Sequence, residues 1–224
     1  MQIAHRFDTG NPDHPHLAYW LYLPANFTET RTERWPLVLF LHGKGERGAD
    51  LDQVKAIGLA AVLDQRDDLP FIAVSPQCLA DTDWTPHLPA LDALVTAMIA
   101  TYPIDPDRVC LTGLSMGSRA AWEMVTTHPQ RYAALAAICG RIPDVPEFLA
   151  KVCALNHLPI WIFHGALDTV VPVENSIKLA AALDACGGNV QLTLYPDARH
   201  DSWTAAYADP ALVPWLLAQR RPHT

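Results

Sequence analysis

Short, continuous apolar runs recur along the chain and alternate with segments of helical periodicity. Runs of strand length without polar alternation are typical of strands buried on both faces, as in a parallel sheet. Between two of them, the apolar residues of 91–102 recur at three- and four-residue spacing, which predicts an amphipathic helix. The predicted strands are residues 17–23, 37–41, 71–74, 109–112, 134–139, 160–163 and 190–195.

Weaker helical patterns occupy residues 51–63 and 177–183, and a last helix is predicted over 203–217 with a break caused by Pro210 and Pro214. Strand and helix in alternation predict an α/β fold, a mostly parallel doubly wound sheet with helices on both faces. No gap between elements has the length of a second domain or a large lid. Residues 1–224 are therefore expected to form a single domain.

Charge and composition exclude several classes of function. The formal net charge is -8, and such a surface does not attract nucleic acid or anionic lipid. No apolar run approaches the roughly 20 residues of a membrane span. The chain begins without a basic segment followed by an apolar run, so there is no signal-peptide pattern and we expect a cytoplasmic protein.

The chain has five cysteines, an odd number, and no two of them have CxxC spacing. This pattern predicts neither a disulfide framework nor a structural zinc site. Three of the five lie in apolar runs, which favours buried thiols. No His-x-x-x-His pair suggests a metal, and no cofactor is expected.

A nucleophile motif follows the predicted strand 109–112. Residues 113–117 (GLSMG) match G-x-S-x-G, in which the serine, here Ser115, sits on a sharp turn between a strand and a helix. A helix-compatible segment, residues 118–127, follows directly and stops before Pro129. The alternative is a glycine-flanked turn with a serine cap, but the flanking strand and helix favour a nucleophile.

Serine needs an adjacent base, and in this arrangement the order along the chain is Ser, then an acid, then His. Asp168 follows the predicted strand 160–163 and His200 follows the predicted strand 190–195, so both are expected at the rim where strands end. The competing acids Asp197, Asp201 and Asp184 are expected to be solvated loop or surface residues. His164 is expected to be structural, as part of a tight His-Gly start to the Asp168 loop.

A glycine-rich loop, residues 42–48 (HGKGERG), follows the strand 37–41. Backbone N–H groups in such a loop can hold the oxyanion of an acyl-transfer intermediate. We assign the two donors to the amides of Lys44 and Met116. Phosphate binding is the alternative, but the loop lacks both the P-loop ending and the dinucleotide fingerprint.

With these residues in place, the chain resembles the phospholipase/carboxylesterase-like serine esterases of the α/β-hydrolase fold, in particular a branch labelled predicted peptidases. It is more distantly similar to dienelactone hydrolases, which use cysteine where this chain has Ser115. Ser118 departs from the family, which usually continues with a second glycine. The shared motifs, from about Trp35 to the end, are 41–48, 75–78 with Trp84, 111–117, 138–140, 164–168 before Val171-Pro172, and 195–203.

The resemblance implies hydrolysis of carboxylic esters through the triad Ser115, His200 and Asp168, without a cofactor. Small to medium esters are the expected partners, because a short chain without a lid suggests an open site. The residues expected to line that site are Trp84, Leu114, Val170 and Trp203, with core packing as the alternative for the two tryptophans. Two other functions stay open: a peptidase or amidase with the same triad, and an inactive binding protein.

Overall fold

Eight strands form one sheet in the computed structural model, which describes residues 1–10, 16–30, 33–142 and 146–221. The strand order across the sheet is β1-β2-β4-β3-β5-β6-β7-β8. β1 and β2 pair antiparallel, as do β2 and β4, and all other neighbours are parallel. The strands are β1 Gln2–Asp8, β2 His16–Tyr22, β3 Trp35–Leu41, β4 Ile72–Pro76, β5 Ile104–Leu114, β6 Ala134–Ile138, β7 Ile160–Gly165 and β8 Val190–Tyr195.

Helices cover both faces of this sheet, as the alternation of patterns predicts. The helices are α1 Gly58–Asp64, α2 Leu88–Thr101, α3 Met116–Thr127, α4 Pro146–Val152, α5 Glu174–Ala185, α6 Trp203–Ala208 and α7 Leu212–Ala218. Residues of α2, α3 and α5 share one core cluster, and residues of α1, α6 and α7 share the other. The predicted α/β fold with a mostly parallel, doubly wound sheet is therefore confirmed.

The central strand β3 shows why its sequence is continuously apolar. All seven residues are buried. Leu37, Leu39 and Leu41 contribute to the cluster beneath α2 and α3, whereas Val38 and Phe40 contribute to the cluster beneath α1 and α6. Successive side chains of a strand point to opposite faces, so a strand covered on both sides needs apolar residues at every position.

The edge strand β1 was not predicted from the sequence. Its residues are all exposed or half-buried, and Gln2, His5, Arg6 and Asp8 interrupt any apolar run. Antiparallel pairing with β2, from Gln2 opposite Tyr22 to Asp8 opposite His16, holds it on the sheet. The short helix α4 was also missed.

Two predicted helices are divided. Residues 51–63 form a 3₁₀ helix, Leu51–Ala56, followed by α1, with a break at extended Ile57. The tail divides into α6 and α7 around Pro210. Pro214 does not break α7 because it lies in the first turn, where backbone N–H groups have no intrahelical acceptor.

Cys153 and Cys186 form a disulfide, with their Cα atoms 5.4 Å apart. The cysteine pattern predicted no disulfide, and this prediction was wrong. The two cysteines are 33 residues apart and come together only when the segment after α4 packs beside the end of α5. Cys78, Cys110 and Cys139 are free and buried. Among the helices of the described residues, none has the length and apolar character needed to cross a bilayer.

Candidate active site

Three strand ends meet at one edge of the sheet and bring together residues that are far apart in sequence. Ser115 follows β5, Asp168 lies in the loop after β7, and His200 lies in the loop after β8. These strands are parallel neighbours or next neighbours in the sheet. Their carboxyl ends therefore share the edge at which ligands bind in open α/β sheets.

Ser115 sits on a strained turn at the start of α3. Its φ of 51° and ψ of -115° lie outside the helical and extended regions, where a non-glycine residue is held only by the surrounding structure. Its N–H donates to the carbonyl of Ile138 (2.9 Å). A Cβ at Gly117 would collide with the Leu41 carbonyl of β3, so only glycine allows α3 to begin this close to the sheet.

The three side chains form a continuous hydrogen-bonded line. The Ser115 hydroxyl lies 2.9 Å from His200 Nε2, and His200 Nδ1 lies 2.7 Å from Asp168 Oδ2. With Nδ1–H donating to the carboxylate, Nε2 is free to accept the serine proton. This is the relation between nucleophile, base and orienting acid that acyl transfer requires.

Asp168 is ionised in this arrangement. Burial alone would raise the pKa of this carboxyl, but the hydrogen bonds from His200 and from the Val171 and Val170 amides outweigh burial and lower its pKa. Oδ1 accepts from Val170 N (2.8 Å) and Val171 N (2.9 Å). The competing acids Asp184, Asp197 and Asp201 are all exposed.

The loop after β3 presents its backbone beside Ser115. Gly43 N is occupied, because it donates to Glu46 Oε2 at 3.0 Å. Lys44 N makes no hydrogen bond with any residue that the structure describes. Met116 opens α3, and the first amides of a helix have no intrahelical acceptor. Both candidate oxyanion donors thus remain available.

Buried His42 supports this loop from below. Its Nδ1–H donates to the Gly43 carbonyl (2.6 Å), and its Nε2 accepts from Cys78 N–H (2.9 Å). Burial lowers the pKa of His42 to about 4, with a further lowering from Arg47 and a partial offset from the Gly43 hydrogen bond. A neutral ring is what this pair of contacts requires, since one nitrogen donates and the other accepts.

The four residues expected to line the site divide into two pairs. Val170 is 60 % exposed, and the half-buried Trp203 packs edge-on against the His200 ring, 5.4 Å between centroids. Trp84 and Leu114 are buried instead, each 1 % exposed. The structure favours the packing alternative for Trp84. Leu114, for which only contact with substrate was predicted, is buried in the same way, so neither side chain presents a surface to substrate.

Trp84 and Leu114 both underlie the loop after β3. The Trp84 indole N–H donates to the His42 carbonyl (3.0 Å), and Leu114 packs against Gly43. Sequence position alone could not separate a side chain on the rim from one beneath it. Buried Ser118 faces Gly140, where even one added carbon would collide with the serine hydroxyl.

The contact between His164 and Asp168 was not predicted from the sequence. Its Nε2 lies 3.2 Å from Asp168 Oδ2, so the ring touches the carboxylate that orients His200. The two residues are four apart across a loop, a spacing that carries no contact signal outside a helix. Across the described ranges, no three His, Cys, Asp or Glu side chains group as metal ligands would.

Known proteins resemble this chain in sequence over much of its length. Residues 72–209 match the phospholipase/carboxylesterase family. The candidate esterase NocK of Nocardia uniformis subsp. tsuyamanensis is 26 % identical over 159 residues, covering 68 % of this chain and 45 % of NocK. The chain thus spans about half the length of the curated relatives it matches.

Solved structures share the fold over almost the whole chain. A thermostable esterase superposes with a TM-score of 0.82 at 30 % identity, covering 98 % of this chain and 63 % of that one. A ferulic acid esterase superposes with a TM-score of 0.76 at 18 % identity, covering 97 % of both chains. Together with the family match over more than half of its residues, this similarity shows that the chain belongs to the phospholipase/carboxylesterase family of α/β-hydrolases.

Proposed function

We propose that the chain is a serine carboxylesterase that hydrolyses small to medium carboxylic esters through an acyl-enzyme intermediate. Ser115 is the nucleophile, His200 the general base and Asp168 the acid that orients it. The observation that carries this proposal is the hydrogen-bonded line from the Ser115 hydroxyl through His200 to the Asp168 carboxylate. Family membership supports the ester as the substrate class.

The reaction proceeds in two steps. His200 Nε2 takes the Ser115 proton as the oxygen attacks the ester carbonyl, and Asp168 stabilises the imidazolium. The amides of Lys44 and Met116 hold the oxyanion. His200 then gives the proton to the departing alcohol. A water, deprotonated by His200, attacks the acyl carbon, and His200 returns this proton to the Ser115 oxygen as its bond to the acid breaks.

The proposed limit on the size of the substrate is supported by an apolar pocket that shares Trp203 with the site. Trp203 contacts the His200 ring and also lines a cavity of about 220 Å³ between α1 and α6, together with Ile57, Ala61 and Tyr207. A dry cavity of roughly 150 Å³ holds a benzene ring. We therefore assign this cavity to one short or compact apolar group of the ester.

Hydrolysis of p-nitrophenyl esters from acetate to decanoate tests the proposal. We expect activity on short chains that disappears in Ser115→Ala. Ser118→Ala is the matched control, because the Ser118 hydroxyl is buried without a hydrogen-bond partner among the described residues, and it should retain activity. Equal activity in wild type and Ser115→Ala would show that another group does the chemistry.

Two further measurements distinguish an esterase from an inactive binding protein and from a peptidase or amidase. A fluorophosphonate probe should label wild type and not Ser115→Ala, whereas an inactive binding protein would not react. Amides matched to the best ester should be hydrolysed far more slowly; comparable rates would identify a peptidase or amidase.

Filling the cavity tests its assignment. Ala61→Phe should lower hydrolysis of the longer esters much more than hydrolysis of acetate. Ala93→Phe, at an exposed position on α2 across the sheet, is the control and should leave the preference for chain length unchanged. An unchanged preference for chain length in Ala61→Phe would show that the ester does not occupy this cavity.

A further inference from the structure

His164 is enclosed behind the site, one residue before the end of β7. Its side chain has no exposed surface. The Asp168 loop covers one edge of the ring and α5 the other, because the ring contacts Val171 O on the loop and Ser176 Oγ on the helix. A substrate therefore cannot touch it, and any effect on the reaction must pass through Asp168.

The hydrogen bonds determine which ring nitrogen of His164 carries the proton. Nε2 faces two acceptors that have no proton to give, the Val171 carbonyl at 2.9 Å and Asp168 Oδ2 at 3.2 Å. Nε2 must therefore be the donor. Nδ1 lies 2.7 Å from the Ser176 hydroxyl, which can donate to it. Every polar atom of the neutral ring is then satisfied.

These contacts complete the surroundings of the Asp168 carboxylate. Oδ1 accepts from the two loop amides of Val170 and Val171. Oδ2 accepts from His200 on the active-site side and from His164 on the buried side. Four N–H groups thus hold a side chain that has no exposed surface and can take no replacement from solvent.

We propose that His164 is a positioning residue of the ester-hydrolysing site, a neutral N–H donor that anchors Asp168 and shares Oδ2 with His200. The inference rests on the proposed function. Anchoring keeps the carboxylate plane aligned with His200. Sharing withdraws part of the negative charge from Oδ2, so the carboxylate stabilises the charged form of His200 less than an unshared one would.

Other titratable groups around these rings do not supply the same effect. Cys139, at the end of β6, is a neutral thiol because burial raises its pKa to about 12. The charged side chains nearest along the flanking segments are exposed to solvent, where screening weakens their influence. They are Glu174 on α5 and Asp197, Arg199 and Asp201 in the loop after β8.

Removing the shared donor has two consequences that a packing role alone would not produce. In His164→Leu, kcat should fall about 10- to 100-fold with KM nearly unchanged, because a hydrogen bond to a charged group is lost where no substrate binds. The acid limb of kcat/KM should also move up by roughly half to one pH unit, since Oδ2 then favours the charged form of His200 more strongly.

Two variants make the test specific. His164→Gln can place an amide N–H near the position of Nε2 and should recover much of kcat and return the acid limb toward the wild-type pH. Ser176→Ala removes the partner of Nδ1 but leaves Nε2–H on Asp168, so it should lower stability in urea without moving the acid limb. An acid limb that stays in place in His164→Leu, or moves equally in Ser176→Ala, overturns the proposal.

The proton assignment is measured without turnover. Nitrogen-15 NMR of the resting protein at pH 7 should show His164 with Nε2 protonated and Nδ1 unprotonated. The opposite tautomer, or a doubly protonated ring, contradicts the proposal even if His164→Leu does not fold. Absence of esterase activity in wild type would overturn the proposed function, while this spectrum would still decide whether His164 Nε2 carries the proton that donation to Asp168 requires.

Discussion

At the scale of single residues, polar side chains buried beside the candidate site are held by complete sets of hydrogen bonds. Asp168 receives donors on both oxygens, and His42 donates from one nitrogen and accepts at the other. Buried polar groups are costly unless paired. The pairing here also dictates which protonation state each group must keep.

Replacing Asp168, the orienting acid, tests whether the site needs its charged carboxylate. In Asp168→Asn the amide would still accept the loop N–H groups but would turn an NH₂ toward His200, which favours the tautomer that cannot accept the Ser115 proton. We expect kcat to fall about 10⁴-fold, as for the corresponding change in a serine protease, with KM little affected. Steady-state kinetics on p-nitrophenyl acetate measure kcat and KM for this comparison.

Asp184→Asn is the control, because Asp184 is an exposed carboxylate on α5. It should leave kcat unchanged. A kcat within threefold of wild type for Asp168→Asn would mean that another acid orients the base.

Protonation of His42 should cost stability in mild acid. The folded protein holds the pKa of His42 at about 4, below the value of about 6.5 in an unfolded chain. Between these values the unfolded chain binds the extra proton, so stability is complete above about pH 6.5 and falls as the pH drops toward 4. The loss from this group between pH 7.5 and 4.5 is about 2–3 kcal/mol.

Urea unfolding at several pH values measures this loss against the variant His42→Gln, which cannot titrate. As the pH is lowered from 7.5 to 4.5, the free energy of unfolding of wild type should fall more steeply than that of the variant. Parallel curves for the two proteins would show that His42 is not the group responsible. Carboxylates such as Asp168 contribute to both curves and cancel in the comparison.

At the scale of elements, the site depends on how closely strand ends approach the loops that follow them. Gly165 ends β7 directly beneath the loop that carries His200. A Cβ at this position would collide with the Arg199 carbonyl and lie 2.5 Å from the Ala198 carbonyl. Both are backbone atoms, so the loop itself would have to move.

Gly165→Ala should therefore lower kcat/KM at least tenfold, because a displacement of about 1 Å at a reacting group costs up to 10²-fold. A loss of about 1–3 kcal/mol in the free energy of unfolding should accompany it. Gly45→Ala is the control, since a Cβ there meets nothing within 4 Å. Wild-type kinetics in Gly165→Ala would mean that the loop after β8 tolerates the shift.

At the scale of the whole molecule, long-range contacts connect segments away from the site. Arg221, near the end of the chain, donates to Asp107 Oδ1 at 2.6 Å and to the Gln130 carbonyl at 3.0 Å, which ties the C-terminal segment to β5. The disulfide between Cys153 and Cys186 joins the segment after α4 to the end of α5. Because α5 begins after the Asp168 loop and ends before β8 starts, this bond lies at the opposite edge from the site.

The disulfide should stabilise the fold and leave catalysis unchanged. Cross-linking residues 33 apart constrains the unfolded chain by about 3–4 kcal/mol in the chain-entropy treatment. Cys153→Ser should lower the free energy of unfolding by roughly 2–4 kcal/mol, with kcat and KM as in wild type. Cys78→Ser is the control. It removes a buried free thiol that takes no part in the disulfide, so the number of thiols that reductant adds should stay as in wild type.

Thiol titration of the denatured protein checks the bond directly. We expect three reactive thiols without reductant and five with it, from the three free cysteines and the bonded pair. Five thiols under both conditions would exclude the disulfide.

The sequence by itself determined the features that depend on local pattern. Strand-length segments rich in apolar residues identified seven of the eight strands, and the strand-turn-helix context of Ser115 identified the turn that the structure shows at φ 51°. Positions after strand ends led to Asp168 and His200, which the fold brings into contact. Local signals were sufficient here because parallel strands bring their carboxyl ends to a common edge whatever the details of packing.

Only the tertiary structure decided the features that depend on distances between elements. Edge strand β1 carries no apolar run and is held by pairing with β2. Trp84 and Leu114 lie beneath the loop instead of on the rim, His164 reaches Asp168, and Cys153 reaches Cys186. The physical reason is the same in each case: these contacts form where separate elements pack, and the side chains involved carry no local pattern that distinguishes a buried support from a residue facing the substrate.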